Sequence, residues 1–86
     1  MGEVMETAAI LAILAKDNPR ADAGDLKMYA DALADYRRAQ ANIDAHGPIV
    51  LHPRTGAPIQ NPYIAIRDAA GKSMRSMKRI KGGSVW

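Results

Sequence analysis

The sequence has no cysteine and no phenylalanine, and it carries a single tryptophan and three tyrosines. Without thiols it can form neither a disulfide framework nor a thiolate metal site, which suits a reducing cytosol. With so little aromatic bulk in 86 residues, the core must be modest. A chain of this size buries only about 60% of the surface its unfolded form exposes, and self-association is a common way to cover the remainder. A membrane-spanning run is missing too. The apolar stretch Ala8 to Ala15 (AAILAILA) follows Glu3 and Glu6, where a secretion signal would be basic. It is far short of the roughly 20 residues needed to cross a bilayer, and it reads as a soluble helix. No glycine-rich phosphate loop occurs, and no acid, base and nucleophile converge, so catalysis has no carrier and no cofactor is expected. His46 and His52 flank one short apolar stretch but lack a third ligand, and no metal site is expected there.

What is present is an asymmetry of charge hidden under a net charge of +3. Before residue 67 the acids (Glu3, Glu6, Asp17, Asp22, Asp25, Asp31, Asp35, Asp44) outnumber the bases (Lys16, Arg20, Lys27, Arg37, Arg38, Arg54). From there on Arg67, Lys72, Arg75, Lys78, Arg79 and Lys81 face Asp68 alone. These six cations are the candidate DNA-binding residues: repeated around an oligomer they would give strong, salt-sensitive attraction to a polyanion. Read purely structurally, they are a solvated helix face whose cations complement a C-terminal helix dipole.

The apolar pattern predicts three helices. The first runs from about Glu3 to Lys16 with Val4, Ala8, Leu11 and Ala15 on one stripe, widened by Ile10, Ile13 and Leu14, and it stops at Asn18-Pro19. The second starts at Asp22 or Asp25 and ends at His46-Gly47-Pro48, both marked by capping chemistry. Within it Leu26, Tyr29, Leu33, Tyr36, Gln40 and Ile43 alternate in steps of three and four, a heptad seam flanked by alanines that let other helices pack closely. The third begins with Asn61 as cap and Pro62 at its first position and continues to about Ile80, with Tyr63, Ile66, Ala70, Met74 and Met77 as its apolar face. Gly71 inside it marks a close approach of another helix. Of the apolar residues, Leu26, Tyr29, Leu33, Tyr36, Ile43, Ile66, Met74 and Met77 are assigned to oligomerisation.

Between the last two helices, Ile49 to Leu51, the turn Pro53 to Gly56 and the return Ala57 to Gln60 spell a miniature β-hairpin. Such a hairpin is marginal alone and must lean on the helices or on a neighbouring subunit. Its prolines are boundary markers: Pro48 closes a helix, Pro53 shapes the turn, Pro58 confines the return strand to an edge, and Pro62 opens a helix. The fold class is therefore mainly α-helical, an antiparallel helical hairpin with a β-hairpin between its two arms and one helix before it. The divisions are residues 1–21 as N-terminal helix and linker, 22–81 as oligomerisation core, and 82–86 as a flexible tail ending in Trp86.

The run from Asp25 to Ile80 resembles the small subunit of tailed-phage terminases. The resemblance lies in the acidic Asp25 leading into a helix with Tyr29 and Tyr36, then Gly47 to Val50, then Thr55-Gly56 and Gln60-Asn61-Pro62, then the apolar and basic helix Ile64 to Ile80. It implies a non-enzymatic, ring-forming DNA-packaging protein in the cytoplasm of a bacterial host, which engages double-stranded DNA and hands it to the large terminase subunit, the bearer of ATPase and nuclease. Family members commonly carry a longer N-terminal region, often a helix-turn-helix, and a longer tail. The abbreviated form here implies DNA engagement with little sequence preference, as in a phage-derived gene transfer agent. Trp86 is the candidate anchor for docking on the large subunit. The acids Asp22, Asp25, Asp31 and Asp35 argue against the second helix as a major-groove reader. Two other readings stay open: a small dimeric transcriptional regulator, and a protein-interaction adaptor that ignores DNA, such as a toxin-antitoxin or phage accessory factor.

Overall fold

Helix α1, Gly2–Asp17, turns inward the residues that save most apolar area. Leu14 is fully buried and Ile10 nearly so, whereas Ala8 and Ala15 of the expected stripe are exposed and Leu11 is half-buried. The helix is rolled by about one residue, because burying isoleucine and leucine is worth roughly 1.5–3 kcal/mol each and a methyl group far less. In the computed structural model, backbone is described for residues 2–82 and side chains for residues 7–82; the expected inward position of Val4 and the role given to Trp86 lie outside the described residues.

Helix α2, Ala23–His46, has the expected ends. The Asp22 carboxylate accepts a hydrogen bond from the Asp25 N–H at 3.2 Å. At the other end Gly47 takes φ +85°, a conformation glycine adopts without a Cβ penalty, and its N–H returns to the Ile43 carbonyl at 2.6 Å. Leu26, Tyr29, Ala30, Ala32, Leu33, Ala34 and Ala39 are buried along it. Leu26, Ala30, Leu33 and Ala34 share one cluster with Ile10 and Leu14 of α1 and with Met74.

Strands β1, Ile49–Leu51, and β2, Pro58–Gln60, pair antiparallel with Val50 opposite Ile59. The connecting turn is closed by the His52 N–H to the Ala57 carbonyl and the Gly56 N–H to the His52 carbonyl, both 2.8 Å, with Gly56 at φ +72°. His52 Nδ1 accepts from the N–H groups of Arg54 and Thr55 at 3.0 and 3.3 Å. Its imidazole is thereby employed in holding the turn.

Helix α3, Tyr63–Ser76, is launched by Asn61, whose Oδ1 accepts from the Tyr63 N–H at 3.0 Å. Its buried positions are Ala70, Gly71 and Met74. Tyr63 and Ile66, expected on that face, remain 39% and 46% exposed. The helix ends four residues before the expected Ile80. Ser76 Oγ donates back to the Ser73 carbonyl at 2.7 Å, a local bond that competes with the helical ladder, and the chain bends so that Ile80 returns to the core cluster. Arms α2 and α3 run antiparallel: Asn61 meets Asn42, Arg67 meets Gln40, and Gly71 lies against Tyr36. Beyond α3, a Cβ at Gly82 would collide with the Tyr29 hydroxyl.

Gly71 is buried at the close approach that the sequence predicts, yet the neighbour is a side chain. A Cβ there would sit 3.6 Å from the Tyr36 ring, ordinary contact, and 3.2 Å from the guanidinium at the far end of the Arg75 side chain. Helix propensity favours alanine by about 1 kcal/mol. Gly71→Ala is therefore expected to raise the urea midpoint, by a stability gain of about 0.5–1 kcal/mol at unchanged m-value. A lowered midpoint would mean the arms require bare backbone at this position.

Candidate nucleic-acid interface

The six candidate cations fall into three settings. Arg67 is half-buried, and its guanidinium donates to Gln40 Oε1 and to the Asp68 carboxylate at 3.2 Å each. It ties α3 to α2, so its charge is largely engaged. Lys72 and Arg75 are exposed on α3, with Arg75 bordering the groove where Gly71 meets Tyr36. Lys78, Arg79 and Lys81 are also exposed, but they sit in the turn after α3 and do not continue a helical stripe.

That turn is pinned by a residue whose role the local sequence does not announce. Asn18, 8% exposed at the α1–α2 joint, donates from Nδ2 to the carbonyls of Leu14 (3.0 Å) and Lys81 (2.8 Å). Its Oδ1 accepts the Lys81 N–H at 2.8 Å. The paired bonds to Lys81 imitate a strand pairing and fix the basic end of the chain against the acidic start of α2. In consequence Arg20, Arg79 and Lys81 share a cleft with Asp17, Asp22 and Asp25. Three bases there face three acids, so the local field is close to neutral, while Lys72 and Arg75 project where the nearest acid of α3, Asp68, is occupied by Arg67.

The apolar residues assigned to oligomerisation are likewise divided. Leu26, Tyr29, Leu33 and Met74 are buried within one chain, Tyr36, Ile43 and Met77 are half-buried, and Ile66 is exposed. Heptad spacing marks a helix that packs, but it does not say whether the partner is another arm of the same chain or a second copy. Among the described residues the exposed large apolar positions are Ile13, Met28, Ile49, Leu51, Tyr63 and Ile66.

Among the described residues no group of three metal-ligating side chains forms, and no helix is long and apolar enough to cross a membrane.

An antiparallel pair of arms joined by a β-clasp, with exposed cations on α3 and unburied apolar positions, defines a small, mainly helical protein. Residues 8–80 match the family of phage terminase small subunits, and the chain belongs to that family. The match takes in most of α1 as well as the arms and clasp that carry the resemblance in sequence. No curated protein and no solved structure matches the chain.

Proposed function

We propose that this protein is the non-enzymatic small subunit of a packaging terminase, from a tailed phage or a gene transfer agent. It assembles into a closed oligomer, holds double-stranded DNA through the outer face of α3 with little sequence preference, and presents it to the large ATPase and nuclease subunit in the bacterial cytoplasm. The observation that carries this reading is the juxtaposition, within a family of terminase small subunits, of exposed Lys72 and Arg75 with exposed large apolar side chains such as Tyr63 and Ile66 on the same helix. Exposed acids on α2 keep that helix from turning cationic: Asp31 binds Lys27 at 2.7 Å, and Asp22 and Asp25 offset the bases at the helix start. That polarity orients a polyanion toward α3.

Copies related head to tail, with Ile66 and the half-buried Tyr36, Ile43 and Met77 at the seam, close into a ring when the rotation permits. Light scattering on the full chain is expected to give a mass well above that of a dimer. A monomer at every concentration would overturn the assembly reading. Mixing with the large subunit of the same system then checks presentation, with stimulation of its ATPase as the expected result.

A further inference from the structure

Residues 77–81 are pulled toward two different conformations. Locally, Met77, Lys78, Arg79 and Lys81 are good helix formers, their three cations suit the carboxyl end of a helix dipole, and Gly82 follows as a stop. On those grounds α3 should run on past Ile80. It ends instead at Ser76, with Met77 at ψ 65°, and contacts distant in sequence fold the segment back. Asn18 takes both the N–H and the carbonyl of Lys81 at 2.8 Å, Ile80 packs against the core cluster, and Gly82 lies so close to Tyr29 that a Cβ would collide with its hydroxyl. The fold-back is loosely packed. Open clefts of about 330, 490 and 360 Å³ border it, toward Asp25, toward the α1–α2 joint, and toward Tyr29 and Tyr36.

We infer that residues 77–81 are a two-state element, folded back beside the cleft acids in the free protein and wound onto α3 as a further helical turn when a polyanion takes their cations; only the identity of that polyanion as DNA rests on the reading above. At about 100° per residue, a continued helix brings Arg79 within about 20° of Lys72 and Arg75 within about 60° of it. The three then form one stripe along which successive phosphates can be paired, and Asp68 on the same side is already held by Arg67. In the fold-back Arg79 shares its cleft with Asp17, Asp22 and Asp25 instead. The two states therefore differ in how many phosphates they can hold, and a ligand shifts an equilibrium only through such a difference. The counterweight is Ile80. Winding takes it from the core cluster and takes the Lys81 backbone from Asn18, which keeps the free protein folded back.

Gly82→Ala separates the two states without changing any charge. Its Cβ collides with the Tyr29 hydroxyl in the fold-back, and alanine favours the helix. In the full chain without DNA, circular dichroism at 222 nm is expected to show about four more helical residues than wild type, one turn's worth. Filter binding across a salt series should then show duplex DNA bound at least about threefold tighter, with the slope of log affinity against log salt steeper by about 0.9, one additional phosphate pair. Adding Lys78→Pro should cancel both gains, because proline breaks the new turn. Adding Lys78→Ala, with the same loss of charge, should keep the helix gain. Helix content unchanged or lowered in Gly82→Ala, helix gained with no change in DNA affinity, or gains that survive Lys78→Pro would each overturn the proposal. Failure of every form to retain duplex DNA would instead overturn the polyanion's identity, with the ellipticity still deciding the switch.

Discussion

Asn61→Ala is expected to lower the melting temperature by roughly 10–25 °C at matched protein concentration, the largest stability loss of any single polar substitution in the molecule. Asn61 is 2% exposed and joins three elements at once. Its Nδ2 donates to the Gly47 carbonyl and to Asn42 Oδ1, both at 3.0 Å, and its Oδ1 accepts the Tyr63 N–H at 3.0 Å. Its own N–H reaches the Pro48 carbonyl at 2.7 Å. Truncation leaves the main chain in place but strips partners from the end of α2 and the start of α3. A buried polar group left without its partner costs about 1–3 kcal/mol, so the combined loss is about 2–4 kcal/mol after partial rescue by water. Each kcal/mol moves the midpoint of a domain this small by about 4–8 °C. Asn61→Asp separates the two halves of the side chain. It keeps an acceptor for Tyr63 but sets a carboxylate against two oxygens, so it should melt no higher than the alanine variant. Melting of the aspartate variant near the wild-type value would show that the donor side contributes little.

The same residue shows what could be read without coordinates. Asn61 before Pro62 is a local signal, because an asparagine oxygen caps the helix that proline can begin. Asp22, Gly47 and the hairpin turn belong to the same class, since each is decided by chemistry within a few residues of itself. The second task of Asn61, holding Asn42 and Gly47, depends on α2 passing nearby and was not legible. Asn18 is the extreme case. Before Pro19 it reads only as the end of a helix, and its partner Lys81 lies 63 positions away.

The phases of α1 and α3 are also tertiary. Ala8 or Ile10, and Ile66 or Arg67, could each face inward while satisfying the helical period. The choice falls to what the neighbour offers: Leu33 and the alanines of α2 for Ile10 and Leu14, and Gln40 for Arg67. The early end of α3 has a local side, the Ser76 bond to Ser73, and a distant one, the hold of Asn18 on Lys81, and only the first lies in nearby sequence. The candidate interface was therefore legible as a set of cations but not as their division, since nothing near Arg79 in the chain announces Asp22 and Asp25.

That division sets the size of the DNA effect. Lys72→Glu, Arg75→Glu and Arg79→Glu together should abolish salt-sensitive retention of double-stranded DNA, and the contributions should be unequal. Removing one phosphate-pairing cation lowers the slope of log affinity against log salt by about 0.9, so the full triple would remove a slope of up to about 2.7 per subunit. Lys72 and Arg75 lie outside the cleft that holds Asp17, Asp22 and Asp25, and reversing them turns an attractive face repulsive. Arg79 already shares its cleft with Asp17, Asp22 and Asp25, and part of its field is cancelled before DNA arrives. The double variant at 72 and 75 should therefore account for most of the loss, with Arg79→Glu alone the smaller. The converse substitution sharpens the distinction. Neutralising the cleft with Asp22→Asn and Asp25→Asn should tighten DNA binding and steepen its salt dependence, because Arg79 and Lys81 then become available to phosphate. Filter binding across a salt series reads both effects. Undiminished retention in the triple variant would move the DNA contact off α3 altogether, and a larger loss from Arg79→Glu than from the pair would place it at the acidic cleft, against the electrostatics described.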